Sequence, residues 1–245
     1  MTTNGQLNFT TALDDLSVYA VSITSQPTTP NQQCLITLGN ESGSLAGSDV
    51  VVTIECITTQ YTVGVDVSGL ASGNTLGLDN SGEGLTVSSN GLSNFASGLD
   101  DLSGYSVSIT SQPSSPNQTC ENTSANQVGA ISGDDVTISI ECTTNRYFIG
   151  GTVNGLLDNN FMMIGNNTDE LIISSDGAFL FSMPLIDEEN YDVQILLEPE
   201  NPIQPCTLLN NTGMLDGNDI VDIEINCEVG DDLIYSGGFE EVPAK

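Results

Sequence analysis

Short runs of alternating apolar and polar residues recur along the chain. Val63, Val65 and Val67 alternate with small or polar neighbours, as do Val107 and Ile109, and Val136, Ile138 and Ile140. A period of two puts every second side chain on one face, so each run predicts a half-buried β-strand. Between the runs stand SGLASGN, DNSGEG, SSNG, SQPSSPNQ and ISGDD, which are dense in turn-forming residues. No stretch places apolar residues at helical spacing between caps, so helix is expected to be nearly absent. Roughly seven short strands per unit, with a turn every 8–12 residues or so, predict an all-β fold of Ig-like antiparallel sandwiches.

The pattern also repeats on a longer scale. YAVSITSQPTTPNQQC, from Tyr19 to Cys34, returns as YSVSITSQPSSPNQTC from Tyr105 to Cys120, and again as YDVQILLEPENPIQPC from Tyr191 to Cys206, each time 86 residues on. LDDL at 13–16 matches LDDL at 99–102, YTVGVDVSGL at 61–70 matches YFIGGTVNGL at 147–156, and LTVSSNG at 85–91 matches LIISSDG at 171–177. The period is too long for a solenoid and suits a small sandwich domain. The register divides the chain into repeat one (residues 1–57), repeat two (58–143), repeat three (144–228) and a C-terminal tail (229–245) with room for one more strand. Tandem sandwiches of this kind predict a rod. In repeat one Asn4 aligns with Asn90, so about thirty residues that open the other units have no counterpart in this sequence. Either strands from elsewhere complete it, or the sequence is a piece cut within a unit.

The six cysteines obey the same register. Cys34–Cys56, Cys120–Cys142 and Cys206–Cys227 is the one scheme that gives every repeat the same internal bond. Metal binding would need a CxxC or a histidine, and a nucleophilic thiol would need a nearby base or cation; the chain offers neither. Disulfides imply an oxidising compartment, although MTTNGQLNFTTALDD has no secretory character. The protein is therefore expected outside the cell or on its surface, as a mature or excised piece.

Composition narrows the function. Two residues are basic, 33 are acidic and none is histidine, for a formal charge of −31. Such a surface repels phosphate backbones and anionic headgroups, which argues against nucleic-acid partners, and no apolar run is long enough for membrane insertion. Without imidazole, and with one arginine and one lysine, general-base and oxyanion chemistry lack their usual groups. Paired carboxylates could serve a glycosidase, but that chemistry wants an aromatic-lined cleft. Tyr19, Tyr105, Tyr191, Phe95 and Phe181 recur in register instead, as core positions do, so the chain is not expected to be an enzyme. No cofactor is required by these residues. Calcium is the one ion the acids could attract, through Asp14, Asp15, Asp49, Asp100, Asp101, Asp134, Asp135, Asp187, Asp216 and Asp219, which recur at equivalent turns. None of these stretches matches the calcium loop of an EF-hand, and solvated acidic turns are the simpler reading.

One whole unit, GGTVNGLLDNNFMMIGNNTDELIISSDGAFLFSMPLIDEENYDVQILLEPENPIQPC (Gly150 to Cys206), resembles the tandem disulfide-bearing Ig-like repeats of large secreted or surface-anchored proteins of Gram-negative bacteria. The ending DDLIYSGGFEEVPAK is similar to the short IFxxGFE endings of exported gammaproteobacterial proteins, through Gly238, Phe239 and Glu240. These resemblances imply extracellular display, adhesion or spacing. The expected function is a non-catalytic structural or adhesive rod: a stalk, an adhesin segment, or a filament subunit joined by strand complementation. Its expected partners are itself, head to tail, or other surface proteins and glycans. Leu233, Ile234, Tyr235 and Phe239 of the tail are the candidate self-association residues, since repeat one should leave sheet edges open. A Ca²⁺-dependent or carbohydrate-binding module is the alternative, but the loops that differ most between repeats, 35–48, 121–132 and 207–218, are polar and lack aromatics.

Overall fold

A computed structural model describes residues 4–228. Repeat one supplies β1 (Val18–Ala20), β2 (Gln32–Ile36), β3 (Ser42–Ser44) and β4 (Ile54–Thr58), and β5 (Gln60–Tyr61) follows. Next come β6 (Val63–Ser68), β7 (Leu76–Asn80), β8 (Glu83–Val87), β9 (Gly91–Asn94), β10 (Leu99–Asp100), β11 (Gly104–Ser111), β12 (Gln118–Asn122), β13 (Val128–Ala130) and β14 (Val136–Thr144). After β15 (Arg146–Tyr147) the order returns as β16 (Ile149–Asn154), β17 (Met162–Asn166), β18 (Asp169–Ile173), β19 (Gly177–Leu180), β20 (Leu185–Ile186), β21 (Asn190–Leu197), β22 (Cys206–Leu209), β23 (Thr212–Met214) and β24 (Ile220–Cys227). The described residues hold strands and no helix, so the fold is all-β.

In repeat two, the sheets β12-β14-β6-β9 and β13-β11-β7-β8 enclose one core. Repeat three builds the same pair, β22-β24-β16-β19 and β23-β21-β17-β18, around its own. The alternation explains the layering. Val63, Val65 and Val67 from one sheet and Leu76 and Leu78 from the other are all nearly inaccessible, while the intervening Asp66 faces solvent. Two ladders depart from the antiparallel expectation. The first and last strands of each unit, β6 with β14 and β16 with β24, lie side by side and run parallel. The sandwich thus has eight principal strands, and its opening strand is wedged into the middle of a sheet.

Each disulfide joins two adjacent strands of one sheet, at directly paired positions: Cys34–Cys56, Cys120–Cys142 and Cys206–Cys227, with Cα atoms 3.9–4.0 Å apart. A closed loop of 21 or 22 residues is worth about 3 kcal/mol in the chain-entropy account.

Among the described residues repeat one holds only the counterparts of β11–β14, and its strand lengths follow from the ladders these make. β11 runs for eight residues because β13 holds Gly104–Ser106 and β7 holds the remainder. Its counterpart β1 keeps only Val18–Ala20, the part paired with β3. β14 pairs with β12 over Ile140–Thr144 and with β6 over Val136–Glu141. The counterpart β4 keeps only Ile54–Thr58, the part paired with β2. Gly5–Asn8 aligns with β9, whose ladder partner is β6, and forms no strand. Each truncation falls where the counterpart of β6 or β7 would have paired.

Candidate functional site

Two structures stand out: a repeated joint between units, and the open face of repeat one. The joint is built on one buried carboxylate. Asp101 accepts the Gly133 N–H of its own unit at 2.9 Å through Oδ1, and the Asn31 N–H of the preceding unit at 2.7 Å through Oδ2. Its own N–H donates to the Thr59 carbonyl, and the Thr59 N–H to the Asn31 carbonyl. Asp187 repeats every element: it accepts Gly217 N–H at 2.8 Å and Asn117 N–H at 2.6 Å, and its N–H donates to the carbonyl of Asn145, whose N–H reaches the Asn117 carbonyl. The residue after each carboxylate, Leu102 or Glu188, takes a left-handed φ of 68° or 64°, which turns the chain beneath the acid. Gly217 itself has φ +74°, and a Cβ there would stand 2.7 Å from Asn117 Nδ2, so the joint closes over a bare backbone.

Burial pushes the Asp187 carboxyl upward. Hydrogen bonds from the Asn117 and Gly217 backbones, from the Asn117 side chain and from the Glu188 backbone outweigh it and hold the pKa below the ordinary value of 3.8. Asp15 is the same residue in repeat one. It accepts Gly47 N–H at 2.8 Å, Leu16 behind it has φ 65°, and its side chain is exposed. A second carboxylate closes the start of each unit on itself, with Asp135 accepting Thr62 N–H at 2.7 Å and Asp219 accepting Phe148 N–H at 2.8 Å.

The open face is read most clearly against the closed units. Phe95 and Phe181 are 3% and 1% exposed, whereas their counterpart Phe9 is 79% exposed. Val107 and Val193 are buried where Val21 is half-buried, and Ile140 and Ile225 where Ile54 is half-buried. A polar network is unmade as well. In repeat two, Asn74 Nδ2 donates to Pro116 O and Gln118 Oε1, and Gln118 Nε2 donates to Gly69 O. Asn160, Gln204 and Gly155 repeat this in repeat three. Gln32 of repeat one has no such asparagine and keeps only the bond to Thr58 Oγ1, which Gln118 also makes to Thr144 Oγ1. Among the described residues, the positions that β6–β8 cover in repeat two are thus uncovered in repeat one.

The other sequence-nominated acids are scattered. Asp100 accepts Gln60 Nε2, and the backbones of Asp14 and Asp216 accept Ser17 N–H and Asn218 Nδ2. Asp49 and Asp134 hold none of the joint contacts. Among the described residues, no group of three Asp, Glu, Cys or His side chains is arranged to hold a metal ion. Arg146 donates to the Pro184 carbonyl. Two concavities of about 150 and 170 Å³ lie on outer sheet faces, one lined by Gly165, Asn167, Asp192, Gln194 and Leu196, the other by threonines and glutamates. Leu233, Ile234, Tyr235 and Phe239 lie outside the described residues. The sequence reading nominated Asp101 and Asp187 as acids but missed their donors, which are the backbone N–H groups of Gly133 and Gly217 and of Asn31 and Asn117 in the two PNQ turns; the recurrence of those turns in register was the available signal.

With 33 carboxylates and so few cations, self-repulsion should weaken the fold at low ionic strength. The melting temperature is expected to rise by several degrees between low and high salt, measured by calorimetry; a flat response would contradict this electrostatic picture.

No protein-family model and no curated protein sequence matches the chain. Among solved structures, the Bacillus anthracis TIE protein aligns at 14% identity and a TM-score of 0.40, over 79% of this chain and 41% of that one. The pilus adhesin SpaC of Lactobacillus rhamnosus GG aligns at 10% identity and 0.29, over 71% and 32%, and its open conformation at 0.23. This chain spans less than half the length of either protein. At these scores nothing about ligand, partner or assembly passes from them to this chain.

Proposed function

We propose that the chain is a non-catalytic extracellular protein in which carboxylate-locked sandwiches act as a spacer. It works as a stalk, an adhesin segment or a filament subunit. The observation that carries this reading is the joint repeated at Asp101 and Asp187, each of which accepts backbone N–H groups from two successive units. The chemical inventory supports a holding role, since histidine is absent and the cations are two. The three disulfides support an oxidising environment. Small-angle scattering is expected to give a single elongated particle for the intact chain and a broader spread of dimensions for Asp101→Ala/Asp187→Ala. A compact globule, or dimensions that the substitutions leave unchanged, would contradict the proposal.

A further inference from the structure

Repeats two and three share one backbone plan, which makes each the control for the other's surface. The outer face of β18, β17 and β21 departs from its counterpart in a consistent way. Register sets its rows. Met163 pairs with Ile172 on one side and Leu197 on the other, and Gly165 pairs with Glu170 and Gln194. The register shift between Met163 and Ile164 adds Leu196 to the first row. Directly paired residues share a face. An apolar row of Ile172, Met163, Leu196 and Leu197 therefore lies beside a second row, at Gly165, with Glu170 on one flank and Gln194 and Asp192 on the other. Ile172, Leu196 and Leu197 are 67%, 46% and 36% exposed, and both carboxylates face solvent. In repeat two the apolar places hold Thr86, Gly77, Thr110 and Ser111, and the two acidic ones hold Gly84 and Ser106.

A trough separates the rows. Gly165 has no side chain and Leu196 leans over it, so that a Cβ there would stand 2.7 Å from Leu196 Cδ1. The resulting concavity of about 150 Å³ is walled by Leu196, Gln194 and Asp192. Gln194 Nε2 donates to Asp192 Oδ2 at 2.8 Å, which holds the carboxylate at the rim. Repeat two places Asp79 where Gly165 stands, with its Oδ1 turned back to the Gly82 N–H. An exposed apolar row marks a surface that something covers. Carboxylates beside an apolar wall fit the aliphatic stem and charged head of a lysine or arginine. We propose that this face docks a polypeptide segment in which a basic residue stands among apolar ones. The apolar side chains cover Ile172, Met163, Leu196 and Leu197, and the cation enters the trough between Glu170 and Asp192. A second copy matches poorly, since it brings 33 carboxylates and two cations to an acidic rim. None of these residues takes part in the joints, so the inference stands apart from the spacer reading.

A synthetic peptide of alternating leucine and lysine serves as the probe, with binding read by calorimetry and by the Met163 methyl in NMR. The intact chain should bind it and the Met163 methyl should shift, while the fully buried Met162 stays unmoved and reports folding in every variant. Ile172→Thr/Leu196→Thr, which copies repeat two at unchanged charge, should weaken binding about tenfold or more, and Glu170→Gln/Asp192→Asn should do the same. The charge-matched control Glu121→Gln/Glu141→Gln, on an outer face of repeat two, should bind as the parent does. Equal binding by all four chains would reduce the effect to bulk charge and overturn the proposal, as would a Met163 methyl that the peptide does not move. A concentration-dependent self-association that the threonine variant abolishes would also overturn it, by making a second copy the occupant.

Discussion

Asp187→Ala is expected to unlock the second joint while leaving both sandwiches folded. The substitution strips the acceptor from two backbone N–H groups, those of Gly217 and Asn117. A donor buried without a partner costs about 1–3 kcal/mol, and here both are lost together. The cores of repeats two and three share no strand, so the loss should appear as mobility at residues 143–147 rather than as global unfolding. Limited proteolysis should cut there, and small-angle scattering should show a broader spread of dimensions than in the parent chain. A compact globule of this length would have a radius of gyration of about 18 Å; the intact, locked chain is expected to exceed it clearly. The same joint carries a pH signature. The folded pKa of Asp187 lies below 3.8, so its contribution is fully present above the unfolded value of roughly 3.9 and is lost as pH falls through the lowered one. Loosening of the second joint should therefore begin only under distinctly acidic conditions, and the alanine variant should lose that dependence. A parent chain whose junction opened near neutrality would contradict the assignment.

Gly151→Ala should be the most damaging single change within a sandwich. Repeat two has Val65 at this place, in an unbroken parallel ladder with Ile138. In repeat three the ladder shifts register between Ile149 and Gly151, and a Cβ at Gly151 would stand 1.9 Å from the Ile223 carbonyl oxygen and 2.7 Å from its carbon. Those are backbone atoms of the central strand and cannot step aside without moving β24. Overpacking of this sort costs about 1–3 kcal/mol or more, and each kcal/mol lowers the melting temperature of a domain this size by about 4–8 °C. The transition of repeat three alone should fall in calorimetry. Gly151→Val, which copies repeat two, should be worse, because it is the bulge and not the residue type that excludes a side chain.

Much of this architecture was legible before any coordinates. The alternation of Val63, Val65 and Val67 and the offset of the Tyr–Cys blocks give strands, layers and repeat length, since both rest on the fixed period of a strand. The parallel pairing of β6 with β14 was not legible, because a strand's sequence does not say which neighbour it chooses or in which direction. The roles of Asp101 and Asp187 were half legible. Their recurrence marks them, but their partners are backbone groups that carry no side-chain signature. The places where β1 and β4 stop were not legible either, because they depend on which ladders hold each strand.

The central claim is that Asp101 and Asp187 lock successive units into a spacer, and hydrogen exchange at the Asn31, Gly133, Asn117 and Gly217 amides tests it most directly. In the intact chain these amides should exchange slowly, and Asp187→Ala should speed exchange at Asn117 and Gly217 while Asn31, Gly133 and the strand cores stay unchanged. Fast exchange at these amides in the intact chain, or exchange at Asn117 and Gly217 that does not respond to the substitution, would contradict the account.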